Sequence, residues 1–279
     1  MESESSHPSA ELSQEARDFY CRTMRTLQEN EIPFLVGGAY AFARYTGIVR
    51  HTKDFDIFVH PRDFDRVLDL LEKDGSRVER NFPHWLGKVF HGDDFVDVIF
   101  SSGNGVARVD GRWFQKAVDE EVLGVKVQLC PPEEMIWSKS FIMERERYDG
   151  ADVAHLLHCM AEDLDWDRIQ ERFGDDWRVL FAHLVLFGYI YPGERQRIPA
   201  RVMESLQERL VSEIGQPARG AGRKLCQGTI LSRSQYLIDL ECRGYRDARL
   251  EPVGNMTPEE IEIWTTAAKE QEAEAAAKK

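Results

Sequence analysis

Leu12, Ala16, Phe19, Tyr20, Met24 and Leu27 return at intervals of three and four, which predicts an amphipathic helix ending near Asn30. Pro33 then opens a short apolar run at 34–36, Gly37-Gly38 follows, and helix-forming residues resume over 39–45. That order predicts strand, glycine turn, helix. Residues 54–59 are β-branched or aromatic apart from two aspartates, and Phe64, Val67, Leu68 and Leu71 mark another helix behind them. Further strands are predicted at 85–90, 95–101 and 122–129, the first two divided by the turn-like Gly92-Asp93-Asp94.

After Pro131-Pro132, which suits the first turn of a helix, the pattern is helical with little strand signal as far as about Ile214. Thr257-Pro258-Glu259-Glu260 is a capping box with proline at the first helical position, so a helix follows it. Ile261 and Trp264 can pin its first turns, whereas 270–279 is charged, alanine-rich and without an apolar stripe, which predicts a frayed, solvated tail. The fold class expected is α+β, a small mixed sheet with flanking helices followed by a mainly helical C-terminal domain. The expected parts are a disordered leader at 1–10, a sheet-containing domain at 11–130, a mainly helical domain at 131–256, and a C-terminal helix and tail at 257–279. The Gly- and Pro-rich stretch 216–222 is the best linker candidate.

Composition changes this picture little, since 279 residues at 42% hydrophobic and 30% charged are ordinary for a folded protein. The start is polar and acidic and reads as neither signal nor transit peptide, and the apolar stretch 179–191 is too short to span a bilayer. A cytoplasmic protein with no membrane partner is expected. The five cysteines form no CxxC pair or zinc-type spacing and are expected to be reduced core thiols. A net charge of −13 opposes nucleic acid in general, so RNA is a possible but disfavoured partner that would need a concentrated basic face.

Residues two apart in a strand share a face, so Asp54 and Asp56 project together while Phe55 and Ile57 point to the core. Like charges this close repel unless a cation bridges them, and magnesium accepts such oxygen ligands while keeping waters and substrate phosphates. A solvent-facing strand carrying two aspartates is the alternative. Position favours the metal: Gly37-Gly38 lies after a strand and before a helix, where backbone N–H groups and the helix dipole attract phosphate. Asp97 sits in the otherwise apolar run 96–100, where a carboxylate is costly unless it faces solvent or a cation. Together these call for two cations held by Asp54 and Asp56, with Asp97 ligating one of them and activating an attacking hydroxyl.

Val36-Gly37-Gly38, the run Arg50-His51-Thr52-Lys53-Asp54-Phe55-Asp56-Ile57 and Val96-Asp97-Val98 resemble, in that order, the nucleotidyltransferase superfamily that shares the DNA polymerase beta fold. The likeness covers about the first half of the chain. It is nearest to bacterial families with Gly-Gly at the turn, such as lincosamide nucleotidyltransferases and abortive-infection type toxins. It implies NTP (ATP among the candidates) and two Mg2+ ions as substrate and cofactor, with Asp54, Asp56 and Asp97 both catalytic and metal-binding. Many members carry serine after the first glycine; here Gly38 leaves phosphate to backbone contacts alone. The second half matches no member of known acceptor.

Gly37, Gly38, Thr52, Lys88 and Lys139 are the candidate nucleotide-binding residues. Arg50, Thr52 and Lys53 flank the acidic strand and reach either phosphate or the neighbouring aspartates, while Lys88 either contacts phosphate or decorates a solvated strand face. Lys139 lies on the inward stripe of its helix, where a snorkelling lysine is the plain alternative. In the toxin-like members a Lys on that helix, an Arg-rich turn and an Asp resemble Lys139, Arg145, Arg147, Asp149 and Asp152 here, which implies phosphate binding by Lys139. Asp149 and Asp152 also suit helix capping. His51, His84 and His91 lack HxH or HxxxH spacing, and Trp166, Trp177, Phe181, Leu184, Phe187 and Tyr191 read as core. The arginines between Arg195 and Arg249 read as a solvated face more readily than as an RNA footprint.

The expected activity is NMP transfer from an NTP to a hydroxyl whose owner, a small molecule, tRNA end or protein, the sequence leaves open. The alternatives are a non-catalytic nucleotide-binding or toxin–antitoxin partner, which admits a protein partner, and a metal phosphohydrolase, which the missing histidine ligands disfavour.

Overall fold

The computed structural model describes residues 12–50, 52, 54–216 and 224–277. The expected leader, most of the expected linker, His51 and Lys53 lie outside the described residues. The chain divides into two compact units, Met1–Pro131 and Pro132–Lys279.

The first unit is built on α1 (Gln14–Glu29), β1 (Phe34–Val36), α2 (Gly38–Thr46), β2 (Asp54–Val59) and α3 (Phe64–Lys73). There follow β3 (Arg77–Phe82), β4 (Leu86–His91), β5 (Asp94–Ile99), α4 (Gly111–Gln115), β6 (Val118–Val122) and β7 (Val125–Leu129). The strands form one seven-stranded mixed sheet in the order β3-β4-β5-β2-β1-β7-β6. β2 runs antiparallel to β1 and parallel to β5, and β1 runs parallel to β7. Ser13 caps α1 by accepting from the Ala16 N–H, and the helix buries Ala16, Phe19, Tyr20, Met24 and Leu27, the periodic face of the sequence. α3 buries Phe64, Val67, Leu68 and Leu71, while Phe55, Ile57 and Val59 of β2 are fully buried.

The structure differs from expectation at the sheet edges. β3 and β6 are polar strands that pair on one side only, and edge strands carry charges that suppress the apolar alternation of a buried strand. The strand expected at 122–129 is interrupted by a two-residue hairpin turn, Leu123-Gly124, with φ of 55° and 84°. Positive φ at both centres matches the right-handed twist of the flanking strands. Cys21 and Cys130 are buried as expected of core thiols, but Cys159 and Cys242 are exposed, correcting that reading for two of the five.

The second unit opens with α5 (Pro132–Ser140), α6 (Gly150–Met160), α7 (Trp166–Phe173), α8 (Trp177–Ile190) and α9 (Ala200–Glu213). After it come the two-residue strands β8 (Leu225–Cys226) and β9 (Arg246–Asp247), the short α10 (Gly228–Leu231) and α11 (Leu237–Glu241), and α12 (Pro258–Ala277). Of the six aromatic and aliphatic residues expected in its core, Trp166, Trp177, Leu184 and Phe187 are buried, whereas Phe181 and Tyr191 are half-buried. Glu134 of α5, with no exposed surface, accepts from Arg168 at 2.5 Å and Arg172 at 3.0 Å, both on α7. The capping box forms reciprocally, Thr257 N–H to Glu260 Oε2 at 2.8 Å and Glu260 N–H to Thr257 Oγ1 at 3.3 Å. α12 continues to Ala277, farther than the frayed tail expected from 270, in keeping with the high helix propensity of its alanines and glutamates.

The arginine-rich region is not simply a solvated face. Arg249 is 1% exposed and holds Asp247 through Nε and Nη2, because a buried guanidinium needs a carboxylate fork. Arg233 pairs with Glu144 and lies over the Trp264 ring, and Arg243 pairs with Asp239. These cations are engaged within the unit, which weakens the RNA footprint; Arg219 and Arg223 lie outside the described residues.

Candidate active site

β1 ends where the chain must leave the sheet, and the turn there is tied to β2 by the Gly37 N–H, which donates to the Asp56 carbonyl at 3.0 Å. Gly38 takes φ of 53° and opens α2. Both glycines are needed for room as well as for conformation. A Cβ on Gly38 would overlap the Asp56 carboxylate, and one on Gly37 would overlap the Phe58 ring. The Asp56 carboxylate therefore sits against the N-terminus of α2, where the first N–H groups have no carbonyl of their own helix to bond.

Asp54, Asp56 and Phe58 alternate along β2 and share one face, and His60 follows just past the strand's end. Parallel pairing sets Asp56 opposite Asp97 of β5, with Asp54 opposite Phe95. Thr52 Oγ1 donates to Asp54 Oδ1 at 3.1 Å and accepts from the Asp54 N–H at 3.2 Å, fixing the start of the strand. Antiparallel pairing with β4 puts Lys88 opposite Asp97, and the Lys88 Nζ donates to Asp97 Oδ1 at 2.7 Å. Burial lifts the Asp97 carboxyl above the usual carboxylate range; Lys88 pulls it back and the charge on Asp54 adds to the lift, for a net rise. Behind the acidic strand, the Tyr20 hydroxyl is raised by burial and then by Asp94, Tyr40, Asp54 and Asp56. Burial pushes the Tyr40 phenol up to about 12.

Seven of the expected site residues, Gly37, Gly38, Thr52, Asp54, Asp56, Lys88 and Asp97, thus fall on adjoining positions of β1, β2, β4 and β5 and the segments that lead into them. Lys139 belongs to the second unit, where its Nζ donates to Asp149 Oδ2 and Asp152 Oδ2, each at 2.8 Å. Arg147 forks onto Asp149 as well. Asp149 does occupy the N-cap position of α6, yet its side chain makes no capping bond, because both oxygens are taken by these cations. Asp152 shares Lys139 instead of capping. Arg50 lies over the Phe42 ring at 4.6 Å, Arg145 is exposed, His84 donates to the Gly103 carbonyl, and exposed His91 stacks on Phe19.

Sequence reasoning stopped the period-two face at Asp56. Two more steps reach Phe58, stacked on Trp113 at 5.3 Å, and His60, stacked on Phe114 at 5.0 Å, an aromatic extension of the carboxylate face. A cavity of about 700 Å³ lined by Gln28, Phe34, Asp119, Glu120, Glu121 and Lys126 lies at the opposite end of β1.

Among the described residues, no three His, Cys, Asp or Glu side chains are gathered closely enough to hold a metal by themselves. The donor set nevertheless fits a hard divalent ion that takes two carboxylates and completes its shell with water and substrate phosphate, as magnesium does. Asp54 and Asp56 are such a pair, and the missing Cβ of Gly38 leaves room for the Asp56 carboxylate at the turn.

Asp149 supplies a pH prediction. Burial alone would raise it, but the hydrogen bonds from Arg147 and the Lys139 charge outweigh burial and hold it at about 2, below the ordinary 3.8. A depressed carboxylate stabilises the fold above its unfolded pKa, and that contribution, about 2 kcal/mol, is lost as pH falls from about 4 through about 2. Urea unfolding should show Asp149→Asn less stable than wild type by about that amount at pH 7, with the gap closing near pH 2; a pH-independent gap would refute the assignment.

No family model matches the chain, and no curated relative matches it. Among solved structures, the chain is similar to the antibiotic-resistance factor ANT(2'')-Ia, at 15% identity over 62% of this chain and 96% of that one, TM-score 0.43. It is similar to the lincosamide antibiotic adenylyltransferase LnuA, lincomycin-bound, at 14% identity over 51% and 96%, TM-score 0.37. It is also similar to an antigenic nucleotidyltransferase-like protein from Paracoccidioides brasiliensis, at 14% identity over 66% and 92%, TM-score 0.44. No helix among the described residues is long and apolar enough to cross a membrane.

Proposed function

We propose that the protein is a divalent-cation-dependent nucleotidyltransferase that moves NMP from an NTP to an acceptor hydroxyl. The observation that supports this best is the register across β2 and its neighbours: Asp56 lies opposite Asp97 while the glycine turn after β1 closes over the Asp56 carboxylate. Backbone N–H groups for phosphate, carboxylates for a metal and a proton acceptor are then available at one end of the sheet.

In this reading the glycine turn holds the β- and γ-phosphates: Gly37, its own N–H bonded to the Asp56 carbonyl, shapes the turn, and the backbone N–H groups from Gly38 onward at the start of α2 face the phosphate. Asp54 and Asp56 would hold the divalent ions, two being expected, with Asp97 a further ligand of one and magnesium the natural choice for carboxylates plus phosphate. When bound, the ions would neutralise charge on the phosphate oxygens. The acceptor oxygen forms a bond to the α-phosphorus as the bond from that phosphorus to the bridging oxygen breaks; pyrophosphate leaves with the electron pair. The hydroxyl proton passes to Asp97, whose raised pKa suits a proton acceptor.

The test is incubation with Mg2+ and each α-labelled NTP, against cell extract separated into RNA, protein and small molecules. Label in one fraction, with pyrophosphate released, supports the reading and names the acceptor class; the net charge of −13 makes RNA the least favoured. Nucleotide binding with no labelled fraction would point to a non-catalytic partner protein instead. Phosphate release without an acceptor would point to a phosphohydrolase.

A further inference from the structure

On the face of the sheet that carries the carboxylates, strand register lines up two rows of side chains. One runs from the glycine turn through Asp56, Asp97 and Lys88 to Glu79 of β3. The next runs from Asp54 through Phe95 and Phe90 to Arg77. Phe90 and Phe95 are half-buried, with ring centroids 5.7 Å apart. The Arg77 guanidinium lies over Phe90, its central carbon 4.0 Å from the ring centroid, and the Lys88 Nζ is 4.1 Å from that of Phe95. Arg77 caps this stack with its side chain 62% exposed, so the guanidinium keeps an open side.

We propose that Arg77, Phe90 and Phe95 seat the acceptor, and that the acceptor is a small molecule carrying a conjugated ring. The proposal rests on the nucleotidyl-transfer reading and names the acceptor's chemical class. In-line displacement sets the entering oxygen opposite the leaving one. With pyrophosphate at the glycine turn and the proton acceptor at Asp97, the acceptor enters from the β4 side, over the aromatic row. A guanidinium held on a phenyl ring presents a planar cation, which a conjugated ring covers well and a saturated ring does not. Phe90 is the diagonal neighbour of Asp97 across the β4–β5 pair, a separation of about 7–8 Å. A ring resting there delivers to Asp97 a hydroxyl carried about 7–8 Å away. Charge excludes a polyanion as the guest: Arg77 is bonded to Glu79 and Lys88 to Asp97, so these two cations are already engaged, and the net charge of −13 repels a phosphate backbone.

The experiment gives the full chain Mg2+, α-labelled NTP and the extract fraction that takes up label, which is expected to be the small-molecule one. Phe90→Ala and Phe95→Ala, checked by circular dichroism, should each raise KM for that fraction by about tenfold, leaving KM for the NTP and kcat within about twofold. Phe90→Tyr keeps the ring and should restore the value. Arg77→Lys keeps the charge but loses the plane; it should raise the same KM, and as a change to an exposed side chain it decides the matter should the phenylalanine variants not fold. Phenylbutanol, whose extended chain sets ring and hydroxyl at the required separation, should compete with the acceptor better than cyclohexylbutanol, its more hydrophobic saturated counterpart. An unchanged acceptor KM in folded variants, a rise in the NTP KM instead, equal or better competition by cyclohexylbutanol, or label confined to RNA or protein overturns the inference and leaves nucleotidyl transfer standing. No label in any fraction overturns the reading on which the inference rests.

Discussion

Asp54→Asn lowers kcat/KM for nucleotidyl transfer by about a thousandfold or more, equivalent to roughly 4 kcal/mol of transition-state stabilisation, and leaves the fold intact. The change is isosteric and the residue exposed, at the first position of β2, so unfolding stability should stay within about 0.5 kcal/mol of wild type. The loss comes from replacing a charged oxygen with an amide that binds a hard cation poorly. The Thr52 hydroxyl can still bond the amide oxygen, so the strand start is preserved. Measurement needs the α-labelled transfer assay and a thermal melt on the same preparation. Activity retained within tenfold would mean that the acidic strand is a solvated face after all.

Glu134→Ala should lower stability by about 3–5 kcal/mol, read as a lowered urea midpoint. The carboxylate has no exposed surface and accepts from Arg168 and Arg172, whose side chains are each 6% exposed. Removing it leaves two buried guanidiniums facing each other with the shared counter-charge gone. The direction separates this cluster from the exposed ion pairs of the second unit, such as Arg201 with Asp167, whose loss should move the midpoint little. A Glu134→Ala midpoint close to wild type would show that the arginines find other acceptors.

The acidic strand and the glycine turn were legible because their signals are local. Period-two alternation placed Asp54 and Asp56 on one face, and two glycines between an apolar run and helix formers announced a tight exit from the sheet. Asp97 was legible as a charge out of place. Its partner was not: Lys88 alternates with apolar neighbours as any edge lysine does, and only the antiparallel register of β4 on β5 reveals that it faces Asp97. The edge strands β3 and β6 escaped notice for the opposite reason, having too little apolar character to be read as strands. Leu123 misled because its hydrophobicity continued a strand pattern while its backbone turned to positive φ. Arg249 shows the limit of reading a charge run as surface, since only tertiary contacts reveal that it is buried on Asp247.

The turn between β4 and β5 is two residues long, Gly92-Asp93, with His91 paired to Asp94 across it and Gly92 at φ of 62°. Every partner down the hairpin, Lys88 and Asp97 included, is counted from that turn. Inserting one residue there would slide β4 by a step and deliver the lysine to the wrong side of the sheet, with every residue of the pair still present. The spelling of this turn is therefore less constrained than its length: replacing Asp93 by another small polar residue leaves the pairing of Lys88 with Asp97 in place, while adding or removing one residue destroys it.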